Sequence, residues 1–140
     1  MRKRLVKIVA LVLVAVMVLG TAAFAIDTRA SKYIFLTEAS IIPAGGGNMK
    51  IEFTVTGTGV MSKIGASNVT VYNSNGTSVA SYSYLTQGNE AMMGANTVAY
   101  TSSVDYKGVP GQTYYAIVTC FCQNSSGMDS YAHTTRSVTV

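Results

Sequence analysis

Hydrophobic and polar side chains alternate strictly from residue 49 to residue 56. The hydrophobic positions are Met49, Ile51, Phe53 and Val55. Because successive side chains of a strand point to opposite faces, this pattern predicts a β-strand with one face buried. Residues 26–140 show no helical periodicity, so we expect an all-β domain.

Six further segments combine β-branched or aromatic residues with turn-forming residues at their ends. They are residues 33–42, 68–73, 79–84, 97–103, 113–122 and 131–140. The pair Asn75-Gly76 lies between two of these segments and predicts a hairpin with a type I′ turn, because both residues tolerate positive φ. We expect loops at residues 57–67 and 85–96. About seven strands without a helix predict an antiparallel β-sandwich, with a closed barrel as the alternative.

The N-terminus has the order of a secretory signal peptide. Its first seven residues contain four basic side chains, and an uncharged apolar run follows from residue 8 to residue 19. Ala23-Phe24-Ala25 then supplies a small-x-small cleavage site. We therefore expect a signal peptide at 1–25, a single domain at 26–140 and a secreted protein without stable membrane insertion after cleavage. The alternative is a retained anchor, since residues 8–26 carry no charge and a span needs about 20 residues.

The formal charge of +4 comes from this N-terminal segment. It holds four of the ten Lys and Arg residues and none of the six Asp and Glu residues, which leaves six of each sign in residues 26–140. Nucleic-acid binding depends on Lys and Arg that neutralise phosphates, and a neutral domain lacks this excess. The same neutrality argues against attraction to anionic membranes.

One stretch resembles a known family. Residues 110–127 contain Pro110, Tyr114 and a turn at Asn124 to Gly127, together with alternating small apolar residues. This stretch resembles the penultimate strand and last turn of fibronectin type III and related immunoglobulin-like domains. The resemblance implies that Tyr114 hydrogen-bonds to the preceding loop and that Ala116, Val118 and Cys120 point inward. The chain has no Trp for the usual early-strand core position. Its layout is also similar to that of small secreted bacterial proteins of unassigned function.

Cys120 and Cys122 are the only cysteines. Residues i and i+2 of a strand share a face with Cα atoms about 7 Å apart, at the limit of disulfide geometry. We interpret both cysteines as small core hydrophobes. The alternatives are a strained disulfide, an intermolecular bridge and a metal site. If the last hairpin is symmetric about Ser126-Gly127, Cys120 lies opposite His133, which would allow a thiolate–imidazole pair or a metal site.

We expect no catalytic site, metal or cofactor. The six carboxylates are scattered along the chain, whereas a glycosidase needs two held close together in a cleft. Gly-x-Ser-x-Gly, phosphate-loop and His-Glu-x-x-His motifs do not occur in the sequence.

The nine tyrosines are the feature of the composition that indicates binding, because tyrosine is a rigid contact residue for sugars and protein partners. We expect Tyr82 and Tyr84 to share one face of their strand. The predicted interaction surface comprises Tyr82, Tyr84, Met92, Met93, Tyr115, Ile117 and Phe121. The sequence thus favours a secreted, non-catalytic binding or surface-interaction module for a protein or polysaccharide, with self-association as an option. The alternatives are a carbohydrate-binding module and a thiol or metal protein built on Cys120, Cys122 and His133.

Overall fold

The computed structural model describes residues 31–140. The predicted signal peptide at residues 1–25 lies outside them. The elements in chain order are β1 (Ile34–Gly45), β2 (Asn48–Met61), β3 (Lys63–Asn73), β4 (Ser78–Ser83), a 3₁₀ turn (Glu90–Met92), β5 (Met93–Gly94), β6 (Thr97–Lys107), β7 (Thr113–Asn124), β8 (Gly127–Thr134) and β9 (Val138–Thr139).

The strands form two antiparallel sheets. One contains β1, β2 and β6 in that order, and the other contains β4, β3, β7 and β8. The short strands β5 and β9 add to the second sheet, where they pair with β3 and β7. The predicted all-β sandwich is confirmed, and the closed-barrel alternative is wrong. Within residues 31–140 no helix is long and apolar enough to cross a membrane.

The hydrophobic core lies between the two sheets. The predicted inward set of β2 is at most 2% exposed. From the second sheet, β7 contributes a row of alternate residues, namely Tyr114, Ala116, Val118, Cys120 and Cys122. Among the described residues, the buried core residues all lie between Tyr33 and Cys122. Residues 31–140 form a compact unit with a core of its own, and such a unit can in principle fold alone.

The prediction of a loop at residues 57–67 is wrong, because β2 and β3 are separated by Ser62 alone. Met61 and Ile64 continue the strands since both side chains enter the core, where they are 1% and 0% exposed. The segment predicted at 131–140 instead divides into β8 and β9. At the break, the Thr135 hydroxyl accepts a hydrogen bond from the Ala116 N–H at 2.9 Å and takes the place of a strand carbonyl.

The Asn75-Gly76 hairpin is present, but the predicted type I′ turn is wrong. Of these two residues only Gly76 has a positive φ, at 76°. The Gly76 N–H donates to the Asn73 carbonyl at 3.0 Å. The Asn73 side-chain oxygen accepts from the N–H groups of Asn75 and Thr77, each at 3.0 Å. The loop is therefore a type I turn followed by a glycine in the left-handed region. A hairpin loop of this kind is one residue longer than a loop with a type I′ turn.

Candidate binding surface

Tyr114 ties the start of β7 to the turn before it. Its hydroxyl accepts a hydrogen bond from the Val109 N–H at 2.9 Å, which is the contact that the family resemblance implies. The ring of Tyr106 meets the Tyr114 ring edge-on, with centroids 5.8 Å apart. Tyr114 is 4% exposed, so its role here is structural.

Cys120 and Cys122 are free thiols, and both side chains are 0% exposed. Burial raises the pKa of Cys120 to about 12 and that of Cys122 to about 11, because a thiolate would lose its hydration. Nearby Cys122 and Asp129 respectively are smaller contributors to these two raised pKa values. Both thiols therefore stay protonated at neutral pH and are poor nucleophiles and metal ligands.

The predicted juxtaposition of Cys120 and His133 is wrong. Cys120 lies opposite Tyr131, and His133 lies opposite Val118. The hairpin closes between Asn124 and Gly127, so its centre is one residue earlier than predicted and each cross-strand partner shifts by two. Among the described residues, no group of three or more His, Cys, Asp or Glu side chains could hold a metal ion.

Tyr82 and Tyr84 do not share a face. The Tyr82 hydroxyl donates to the Asp105 carbonyl of the opposite sheet at 2.9 Å, and desolvation is the largest cause of its raised pKa. The Tyr84 ring instead stacks on Phe121, with centroids 5.4 Å apart. Because β4 ends at Ser83, strand alternation does not extend to Tyr84.

Met92 and Phe121, predicted to be exposed, are 1% and 2% exposed. Phe121 is covered by the Tyr84 ring. Met92 reaches the core because Gly65 has no side chain, since a Cβ there would overlap the Met92 carbonyl oxygen. Tyr115, Ile117 and Met93 are half-buried. The seven residues of the predicted interaction surface are therefore buried or half-buried, and none of them is exposed.

The outer face of the second sheet, formed by β4, β3, β7 and β8, instead carries two aromatic stacks. Tyr72 and Tyr115 lie directly opposite each other, with ring centroids 5.1 Å apart and planes 10° apart. Tyr84 and Phe121 form the second stack. Phe121 follows Tyr115 by six positions along β7, which corresponds to about 20 Å along the strand.

We call the area between these stacks the neutral face. Alternation and register assign eight outward side chains to it: Asn68, Thr70, Ser81, Ser83, Ile117, Thr119, Ala132 and Thr134. Of the described residues on this face, none between the stacks is charged. The Asn68 side-chain oxygen accepts hydrogen bonds from the Thr70 and Ser81 hydroxyls, at 2.9 and 3.4 Å.

The outer face of the three-stranded sheet differs in charge. There the outward positions of β1, β2 and β6 include Glu38, Glu52, Lys50 and Asp105. Of the two described outer faces, one therefore carries ions, whereas the other presents the hydroxyl and amide groups of the neutral face between two aromatic stacks.

Sequence reasoning identified Tyr115 and missed Tyr72. The inward positions of Val69 and Val71 already indicate that Tyr72 faces outward. Its pairing with Tyr115 depends on the register between β3 and β7, which are separated by the 39 residues from Ser74 to Gln112. No local pattern specifies such a register.

Comparison of the chain with protein-family models, with curated proteins and with solved structures found no match in any of the three.

Proposed function

We propose that the chain is an exported, non-catalytic binding domain of the fibronectin type III-like class, with the neutral face as its contact surface. The class is supported by the tyrosine contact at Tyr114 and by the strand order. In constant-type immunoglobulin domains the fourth strand joins the first sheet, whereas β4 here pairs with β3 in the second. Export is supported by the basic, apolar and small-residue order of residues 1–25.

The observation that carries the proposed function is the absence of charge between the two aromatic stacks among the described residues. A ligand that covers this area removes no ion from water, so the main desolvation penalty does not arise. The hydroxyl and amide side chains can exchange hydrogen bonds with water for hydrogen bonds with a ligand. An uncharged polysaccharide offers such hydroxyl groups in dense rows, and its apolar ring faces suit tyrosine.

The ligand favoured by this chemistry is therefore an uncharged, extended polysaccharide that lies along β7 between the stacks. A protein partner is the other option, but the neutral face has few apolar side chains large enough to act as its anchors. Ile117 is the largest aliphatic residue there and is half-buried. Protein interfaces draw most of their affinity from a few large buried anchors.

Affinity electrophoresis tests this proposal directly. Residues 26–140 are run through native gels that contain hydroxyethyl cellulose, galactomannan, laminarin or dextran. We expect retardation in at least one gel, and we expect the Tyr72→Ala, Tyr115→Ala double variant to bind at least tenfold more weakly.

The matched control is Tyr131→Ala. Tyr131 is exposed on β8 but pairs with Cys120, so its side chain lies on the other side of the sheet. This variant should bind as the parent does. Migration that is unchanged in all four gels would overturn the polysaccharide ligand, and undiminished binding by the double variant would overturn the neutral face as the contact surface.

A further inference from the structure

The described chain enters the sandwich at one end, which we call the entry end. It comprises residues 31–35, the β2–β3 connection at 57–63 and the β7–β8 turn with its flanking residues at 123–129. The Thr58 N–H donates to the Tyr33 carbonyl at 2.9 Å, and the Ser62 hydroxyl donates to the Gln123 carbonyl at 2.8 Å. These hydrogen bonds bring the three segments together.

Each segment of the entry end exposes one large apolar side chain. Phe35, Val60 and Met128 are 74%, 65% and 59% exposed. Phe35 occupies the irregularity of β1 between Ile34 and Leu36, where the pairing with β2 shifts register. The three side chains come from different strands. None of them is among the described residues that form the core.

The charged residues of the entry end are Lys32, Lys63 and Asp129. The Asp129 carboxylate is engaged within the domain, since it accepts hydrogen bonds from the Ser31 hydroxyl at 2.8 Å and the Tyr33 N–H at 2.9 Å. The hydrogen bond from Ser31 is the largest cause of its lowered pKa. Both lysines are exposed and carry long apolar stems, which allow an ammonium group to stay at a polar boundary while its stem contacts apolar material.

The chain that leads into this end indicates what could cover it. Residues 8–26 carry no charge and begin with the apolar run 8–19, and Ser31 follows Ile26 by five positions. Five residues of extended chain span at most about 18 Å. Whenever the run occupies a membrane, the domain therefore begins within this distance of the bilayer, and the strands start at the entry end.

We propose that the entry end docks on the surface of a lipid bilayer, with Phe35, Val60 and Met128 in the interfacial region and the two lysines at headgroup level. Because residues 26–140 have equal numbers of acidic and basic side chains, apolar burial rather than net charge drives the contact. Zwitterionic lipid is therefore sufficient. The neutral face lies along the sheet and not at its end, so a docked domain keeps it available.

Cosedimentation with phosphatidylcholine vesicles tests the proposal on residues 26–140, which contain every core residue that the structure describes. We expect the protein to pellet with vesicles and the Phe35→Ser, Val60→Ser double variant to partition at least fivefold more weakly. The matched control is Ile42→Ser, Val109→Ser, which changes two exposed apolar residues away from the entry end. It should partition as the parent does, and equal urea midpoints would show that all three proteins are folded.

Parent protein that stays in the supernatant at all lipid concentrations would overturn lipid docking and leave a protein partner as the covering surface. An equal loss in both double variants would overturn the entry end as the docking site. Polysaccharide retardation is measured on the same variants and should be unchanged, so failure of this proposal and failure of the neutral face as a binding site give different results.

Discussion

At Tyr114 one hydroxyl group links the turn before β7 to the strand that follows. The hydroxyl accepts the Val109 N–H, and the ring is enclosed between Gly108 and Tyr106. Gly108 has to be a glycine here, because a Cβ would lie 2.6 Å from the Tyr114 ring. The resemblance to fibronectin type III domains implied this contact, and its members are close in sequence.

Tyr114→Phe should lower the free energy of unfolding by about 1 kcal/mol, because the Val109 N–H loses its partner while the ring remains. Urea denaturation monitored by circular dichroism measures the change. Tyr131→Phe removes a hydroxyl from an exposed tyrosine and should alter stability by less than about 0.5 kcal/mol. Equal midpoints for the two variants would contradict a structural role for the Tyr114 hydroxyl.

The two buried thiols predict a pH dependence of stability. In the unfolded chain a cysteine ionises near its ordinary pKa of 9.0, whereas the folded values are about 12 and about 11. Above pH 9 the unfolded chain therefore binds fewer protons than the folded chain, and stability falls as pH rises.

Urea midpoints at pH 7 and at about pH 9.5, below the main tyrosine titration, measure this fall. The Cys120→Ala, Cys122→Ala double variant should show a smaller fall, whatever its stability at pH 7. Parallel pH profiles for parent and variant would argue against the raised thiol pKa values.

At the scale of elements, Gly65 allows β3 to continue where a loop was predicted. Its φ of 151° and its lack of a side chain let Met92 and Met93 approach the strand, and β5 pairs there. The approach places Met92 in the core and brings the segment after β4 against the sheet. In the sequence, a glycine after Ile64 suggests the end of a strand. In the structure the strand continues, because the segment Met92 to Gly94 packs against Gly65 and pairs with β3.

Gly65→Ala should destabilise the domain by about 3 kcal/mol, because the new Cβ meets backbone atoms that cannot rotate away. Gly59→Ala is the matched control, since a Cβ at Gly59 meets nothing within 4 Å. Thermal unfolding of both variants gives the comparison. Similar melting temperatures would mean that the β3–β5 contact is dispensable.

At the scale of the whole molecule, the alternation of β2 and the turn-bounded segments predicted the fold class. The inward residues of β2, and those that the family resemblance implied for β7, do lie in the core, but they are fewer than half of its buried residues. The surface was predicted less well, because exposure depends on which distant segment lies on top. Phe121 is covered by the ring of Tyr84, which lies outside β7. Tyr72 forms an aromatic stack because Tyr115 lies beside it on another strand. The predicted pairing of His133 with Cys120 was wrong because the centre of the β7–β8 turn lies one residue earlier than expected.

The most direct measurement is NMR chemical-shift mapping of ¹⁵N-labelled residues 26–140 with the polysaccharide that retards the domain most strongly. We expect the shifted backbone amides to cluster on the neutral face and its tyrosine stack, at Thr70, Tyr72, Tyr115, Ile117 and Thr119. Shifts that cluster instead on the outer side of β1, β2 and β6, or no shifts at saturating polysaccharide, would contradict the assignment of the neutral face as the binding surface.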